Sequence, residues 1–485
     1  MDLLRTKPTE GLVEESEEKH GFRRALNGFH LILLGIGAIV GTGIFVLTGT
    51  AAAQHAGPAI AVSFIISGLG CLCAGLCYAE FASMLPVSGS AYTYAYATVG
   101  ELIAWIIGWD LILEYLFGAA TVAAGWSGYA TALLGDFSIK LPAALCHAPL
   151  DFVNGRMALT GAFLNLPAML VIAVITVVLV FGIRESVQVN NAVVIAKLLV
   201  VAAFLVVCFP HIRTENWAPF LPPSQGQVGV FGWTGVLAGA GVIFYAYIGF
   251  DAVTTAAQEV KRPQRDIPIG ILGSLAICTV LYVLVSLVLT GVVNYRELNV
   301  PAPVAFAVER IGPSVAWIKP FIELGALAGL SSVILVLLMG QPRIFHRMAM
   351  DGLLPPVFSK VHPRFRTPFV TTIVTGSVTA VFAGLLPIKV LSELVSIGTL
   401  LAFVIVSVSI IILRRTRPEL ERHFRTPWVP FVPACGAVIC VAQMVFLPWE
   451  TWLRLLIWLA LGLIIYFGYS RTHSVLHRKG KKVAG

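Results

Sequence analysis

Apolar residues are gathered into long runs separated by charged or Pro-rich breaks. A hydrocarbon core of about 30 Å needs roughly 20 apolar residues per helical crossing. Twelve runs of about that length lie near 29–53, 58–84, 98–133, 165–183, 191–209, 232–259, 267–292, 318–348, 369–386, 391–413, 429–447 and 451–469. The pattern predicts an all-α membrane protein with 12 transmembrane helices. The third and eighth runs are unusually long and must tilt or extend beyond the bilayer.

Two runs are interrupted. In LGIGAIVGTGIFVLTG, Gly35, Gly37, Gly41 and Gly43 fall at mid-depth, where glycine weakens a helix and permits unwinding. In GVIFYAYIGFDAV, Gly249 does the same and Asp251 follows at once. An odd number of spans separates the two breaks, so a second copy of the first five spans enters the membrane from the opposite face. The expectation is a five-plus-five inverted repeat with helices 1 and 6 broken, a design that places its binding site between the broken helices. The predicted layout is an N-terminal segment 1–28, a first repeat 29–209, a second repeat 232–413, two added helices in 429–469 and a basic tail 470–485. Inside the second repeat, PVAFAVERI in the 293–317 connection reads as a short amphipathic piece on the surface. Glycine is also common in membrane helices, and Gly37-x3-Gly41 alone would suit a close helix contact.

Composition agrees, with 58% hydrophobic and 12% charged residues, whereas a soluble chain carries about twice that charge. Residues 1–28 hold six acidic and five basic groups and no apolar core ahead of Leu31. The first run is therefore expected to be its own insertion signal. Lys and Arg outside the runs concentrate on the side of the N-terminus, which puts both termini in the cytoplasm. Arg471, Arg478, Lys479, Lys481 and Lys482 of the tail agree. The net charge of +8 then reflects topology and contact with anionic membrane lipids, not nucleic-acid binding. Cys71, Cys73 and Cys77 crowd the second run without partner ligands at metal spacing, which favours packing. No GxxxxGK[ST] loop is present, so uphill movement must draw on an ion gradient.

LGIGAIVGTGIFVLTG, CYAEFASMLPVSGSAYTYAYATVGELIAWIIGWDLILEY, YAYIGFDAVTTAAQEVKRPQRDIPIGI and MDGLLPPVFSKV resemble the bacterial cationic amino acid transporter branch of the amino acid/polyamine/organocation superfamily. The resemblance runs through nearly the whole chain and is specific in those stretches. It implies a secondary active transporter in the bacterial inner membrane that imports L-amino acids, often with protons, and it implies no cofactor. Carried over onto matching positions, it assigns Ile39, Gly41, Thr42 and Gly43 of the first helix, Tyr245, Ala246 and Ile248 of the sixth, and Glu114 of the third to the substrate site. Many relatives carry Phe where Tyr245 stands.

An amino acid brings a carboxylate and an ammonium that are costly to desolvate. The outer half of helix 1 begins with free N–H groups suited to the carboxylate. The carbonyls ending the first half of helix 6, around Ala246, Tyr247 and Ile248, suit the ammonium. Charges well inside spans default to functional hypotheses. Lys197 lies about 10 Å into the fifth helix at 1.5 Å per residue; it either snorkels to the interface or loads and releases a proton. In relatives a lysine matching this position is thought to stand where sodium-coupled cousins hold their ion. Asp110 and Glu114 share a helix face, so one of the pair must be protonated, paired or wetted. Asp251 reads as a cap for the helix fragment that follows, or as a direct substrate contact. Ser331 and Ser332 read as packing or as partners of the lysine amine.

Leu337 and Leu338 are expected to close the pocket, which favours a small or medium neutral substrate. Sodium-coupled or exchange-type transport of cationic amino acids or polyamines is the alternative. A channel would need a continuous pore. A membrane-embedded acyltransferase would rest on the H-x4-D spacing of His346 and Asp351, which no HExxH or GxSxG accompanies.

Overall fold

A computed structural model describes residues 5–7, 26–84, 91–153, 156–181, 187–255, 260–363 and 367–478. Most of segment 1–28 and Lys479, Lys481 and Lys482 of the tail lie outside the described residues. The first apolar run forms α1 (Gly28–Ile39), entered through an Asn27 cap whose side chain accepts from the His30 N–H at 3.0 Å, and then an outer half, α2, over 43–56. The chain continues through α3 (Ile60–Met84), α4 (Ala91–Thr98) and α5 (Glu101–Asp136). An antiparallel hairpin of β1 (Leu150–Val153) and β2 (Arg156–Leu159) follows, then α6 (Leu166–Phe181) and α7 (Val187–Cys208).

The sixth run forms α8 (Gly232–Ile243), a tighter turn over Phe244–Tyr247, and the one-turn α9 (Ala252–Thr255). Next come α10 (Pro263–Val292), α11 (Pro303–Ile311), α12 (Lys319–Met350), α13 (Phe369–Leu385), α14 (Ile388–Thr416), α15 (Phe431–Val445) and α16 (Trp449–Ile465). Each of the twelve predicted runs therefore contains helix. Among the described residues, seven helical stretches are long and apolar enough to cross a membrane, and four more apolar helices have 10–17 residues. The described residues are mostly helical, with one short hairpin, and many of the helices are apolar.

Both predicted interruptions are real. Val40 ends α1 in an extended conformation at φ −74°, ψ 94°, and the helix restarts at Gly43. At the sixth run, Ile248 is extended and Gly249 takes φ +111°, a conformation that favours glycine. A Cβ on Gly249 would also come within 3.0 Å of the Ala38 carbonyl oxygen, so the second break lies directly against the end of α1. The long α5 packs along α12 and α14, while α10 packs along α3 and α1. These contacts bury the broken helices between the other elements.

The amphipathic segment is helical, as α11, with Glu309 and Arg310 exposed and its other face packed against protein. Its Pro303, Val304, Ala305, Ala307 and Val308 are buried, and a Cβ on Gly49 of α2 would meet Pro303 Cβ at 2.6 Å. Its apolar face is used to cover the outer half of the first broken helix, because burying that face against protein removes it from water.

Candidate functional site

The two breaks meet. Gly43 lies so close to Ala246 that a Cβ there would overlap both the Cα and Cβ of Ala246. A Cβ on Gly41 would meet Val333 Cγ2 of α12 at 3.3 Å. Thr42 is fully buried and faces Gly125 of α5, whose missing side chain leaves it room. Its Oγ1 has no hydrogen-bond partner among the described residues, and a buried polar atom of that kind calls for explanation. Glycines on three sides thus let backbone and a single free hydroxyl converge on one point.

Tyr282, on α10, was not singled out in the sequence. Its hydroxyl lies 2.8 Å from the Ile39 carbonyl oxygen and 2.7 Å from that of Ala246. Those are the carbonyls at the ends of the two broken half-helices. One hydroxyl carries one proton, so it can satisfy only one of them fully at a time. The only hint in the chain was a polar-tipped residue within the apolar stretch CTVLYVLVSL. Tyr245 donates to the Gly118 carbonyl oxygen of α5 at 2.9 Å, so its hydroxyl is spent on helix packing. Ile248 is buried, and its N–H donates to Tyr245 O at 3.2 Å.

Lys197 is buried, 1% exposed. Its amine donates to the Gly37 carbonyl oxygen at 2.8 Å and to that of Val40 at 3.3 Å. The last carbonyls of a helix lack intrahelical donors and form its negative dipole end, so the break in α1 provides the lysine's acceptors. The stem rests on α12, where a Cβ on Gly329 would stand 3.2 Å from Lys197 Cε. The amine therefore ties α7 to α1 across α12 and does not reach out to the interface. Ser331 donates to Leu327 O and Ser332 to Gly329 O, both within their own helix, and Trp126 donates to Ser331. Of the two readings for these serines, packing holds and partnership with the lysine amine does not.

Glu114 is buried. Its Oε2 accepts from the Thr399 hydroxyl of α14 at 2.9 Å. Asp251 is buried just ahead of α9, and its carbonyl accepts from the Thr254 N–H at 2.8 Å, the backbone role of a cap. Leu337 and Leu338 are buried, and a Cβ on Gly118 would meet Leu337 Cδ1 at 3.4 Å. Leu337 thus packs against α5 at Gly118. The His346-x4-Asp351 spacing has another explanation: Asp351 takes the Lys7 amine at 2.9 Å and the Tyr92 hydroxyl at 2.8 Å, which clamps the N-terminal segment to the end of α12.

Among known proteins, the chain is 47% identical to the methylthioribose transporter of Bacillus subtilis (strain 168), over 98% of this chain and 99% of that protein. It is 46% identical to the branched-chain amino acid permease BcaP of the same organism, again over 98% and 99%. The vacuolar cationic amino acid transporter 4 of Arabidopsis thaliana is 38% identical over 86% of this chain and 68% of its own length. All three relatives are named as transporters or permeases, which removes the acyltransferase reading. Residues 26–468 match the amino acid permease family, and the chain belongs to that family.

Proposed function

We propose that this protein imports neutral L-amino acids across the bacterial inner membrane by proton symport. In this reading twelve helices cross the bilayer as two inverted five-helix repeats plus two, with both termini cytoplasmic. The substrate sits between the breaks. Its carboxylate takes the free N–H groups at the start of α2, with Thr42 Oγ1 alongside, and its ammonium takes the carbonyls of Ile39 and Ala246, displacing the Tyr282 proton from one of them. Val333 and Leu337 bound the side chain. Glu114 sets the polarity behind the site through Thr399.

The observation that carries the coupling is the Lys197 amine, buried and held, among the described residues, by the Gly37 and Val40 carbonyls. A cation there stabilises the broken end of α1 in one arrangement, and loss of its proton would release that end, linking protonation to the state of the substrate site. The apolar Val333 and Leu337 favour a neutral ligand, as do the names of the two Bacillus relatives.

The test uses purified protein in liposomes. Acidifying the outside, without sodium, is expected to drive accumulation of labelled branched-chain amino acids or alanine. Lys197→Ala is expected to abolish that accumulation and to flatten the pH dependence of the remaining substrate binding, because linkage requires a titrating group. Unlabelled amino acids and methylthioribose are offered as competitors to name the substrate. Sodium-dependent uptake that ignores the pH gradient would overturn the assignment.

A further inference from the structure

Asp110 stands one helical turn before Glu114 on the same face of α5, and nothing above gives it a role. It is 2% exposed. Both of its carboxyl oxygens are buried without a hydrogen-bond partner among the described residues. It sits against Gly398 of α14, where a Cβ would come 2.5 Å from Asp110 Oδ1, so the missing side chain is what admits the carboxyl. The next residue, Thr399, holds Glu114. Two adjacent positions of α14 thus close over two adjacent acids of α5.

No ion pair to Asp110 or Glu114 occurs among the described residues. The titratable groups that face the pair are Tyr78 of α3, Asp251 beside the second break and Tyr245 of the turn before it, with Tyr115 of α5 and, through it, Arg343 of α12 farther round. An ionised carboxylate buried with neither a counter-ion nor a hydrogen bond costs several kcal/mol. The neutral acid is the form this packing tolerates. Asp110 also lies between Glu114 and the Glu101 end of α5, about 13 Å from it at 1.5 Å per residue.

We propose that Asp110 is a second proton-binding group of the transport cycle, relaying a proton between Glu114 and the cytoplasm when α14 parts from α5. This rests on the proton-symport reading. In the step, water that reaches Asp110 as α14 parts takes its proton and leaves a carboxylate, and the Glu114 proton then moves to that carboxylate. Asp110 is again a neutral acid when α14 closes, one proton has passed to the cytoplasm, and the ionised Glu114 recovers its proton from the acidic exterior when the substrate site next opens to that side. Gly398 and Thr399 make the gate, since the same movement that exposes Asp110 removes the hydrogen bond on Glu114.

The experiment compares wild-type, Asp110→Asn and Asp110→Glu proteins in liposomes, measuring accumulation driven by an acidic exterior and exchange without a gradient. Asp110→Asn is expected to lower driven accumulation by about tenfold or more while slowing exchange by less than about threefold, because it removes a proton site and little volume. Asp110→Glu is expected to restore part of the accumulation with a shifted pH profile. If Asp110→Asn also fails to exchange, the comparison with Asp110→Glu decides: rescue supports the relay, and no rescue overturns it. Accumulation and pH profile equal to wild type in Asp110→Asn would overturn the relay and leave the symport reading standing. Wild-type uptake indifferent to the pH gradient would overturn both.

Discussion

Gly43→Ala adds one methyl where the two broken helices touch. The new Cβ would overlap the Cα and Cβ of Ala246, while carbon atoms in ordinary contact stand about 3.5–4.0 Å apart. Ala246 Cα is backbone and cannot swing aside, so the restart of α2 and the turn at Phe244–Tyr247 must separate by about 1 Å. Overpacking of this kind costs about 1–3 kcal/mol. If the bound state needs the two ends together, that strain appears as a loss of affinity of about five- to 150-fold. The assay is substrate-induced thermal stabilisation of purified protein across a concentration series, since a ligand that binds only the folded state raises its melting temperature. A second change, Ala246→Gly in the Gly43→Ala background, removes the Cβ clash but not the Cα clash, so rescue should be partial. Wild-type affinity in a well-folded Gly43→Ala protein would show that the contact is packing alone and that no ligand lies between the breaks.

Tyr282→Phe removes the hydroxyl from between the Ile39 and Ala246 carbonyls. Leaving one buried acceptor unsatisfied should cost about 1–3 kcal/mol of stability, and a substrate ammonium that replaces the lost donor should then give a larger ligand-induced rise in melting temperature than in wild type. An equal or smaller rise refutes docking of the ammonium at those carbonyls. Glu80 of α3 is fully buried, takes Arg414 of α14 through two hydrogen bonds at 3.0 and 2.7 Å, and lies 3.2 Å from Arg422. Glu80→Ala strands these cations and should destabilise the protein by about 3 kcal/mol or more; an unchanged melting temperature in detergent would show that the pair is not structural.

Helix in each of the twelve apolar runs and both breaks were legible in the sequence, because a long apolar run offers its backbone few polar partners other than its own, and because clustered glycine weakens a helix. Burial of Lys197 could be suspected from its distance into an apolar run. Its acceptors could not be named, since Gly37 and Val40 lie 160 and 157 residues away and become available only where α1 ends. Tyr282, Thr399 and Gly398 were invisible for the same reason. One tyrosine, threonine or glycine in an apolar helix carries no periodic signal, and each matters only through the helix it faces. Nor could the sequence distinguish a packing serine from a lysine partner at Ser331 and Ser332, because a hydroxyl can also bond within its own helix, as both do here. Local sequence determines where a helix can form and where it must fail, whereas the facing of its side chains is decided by packing between segments hundreds of residues apart.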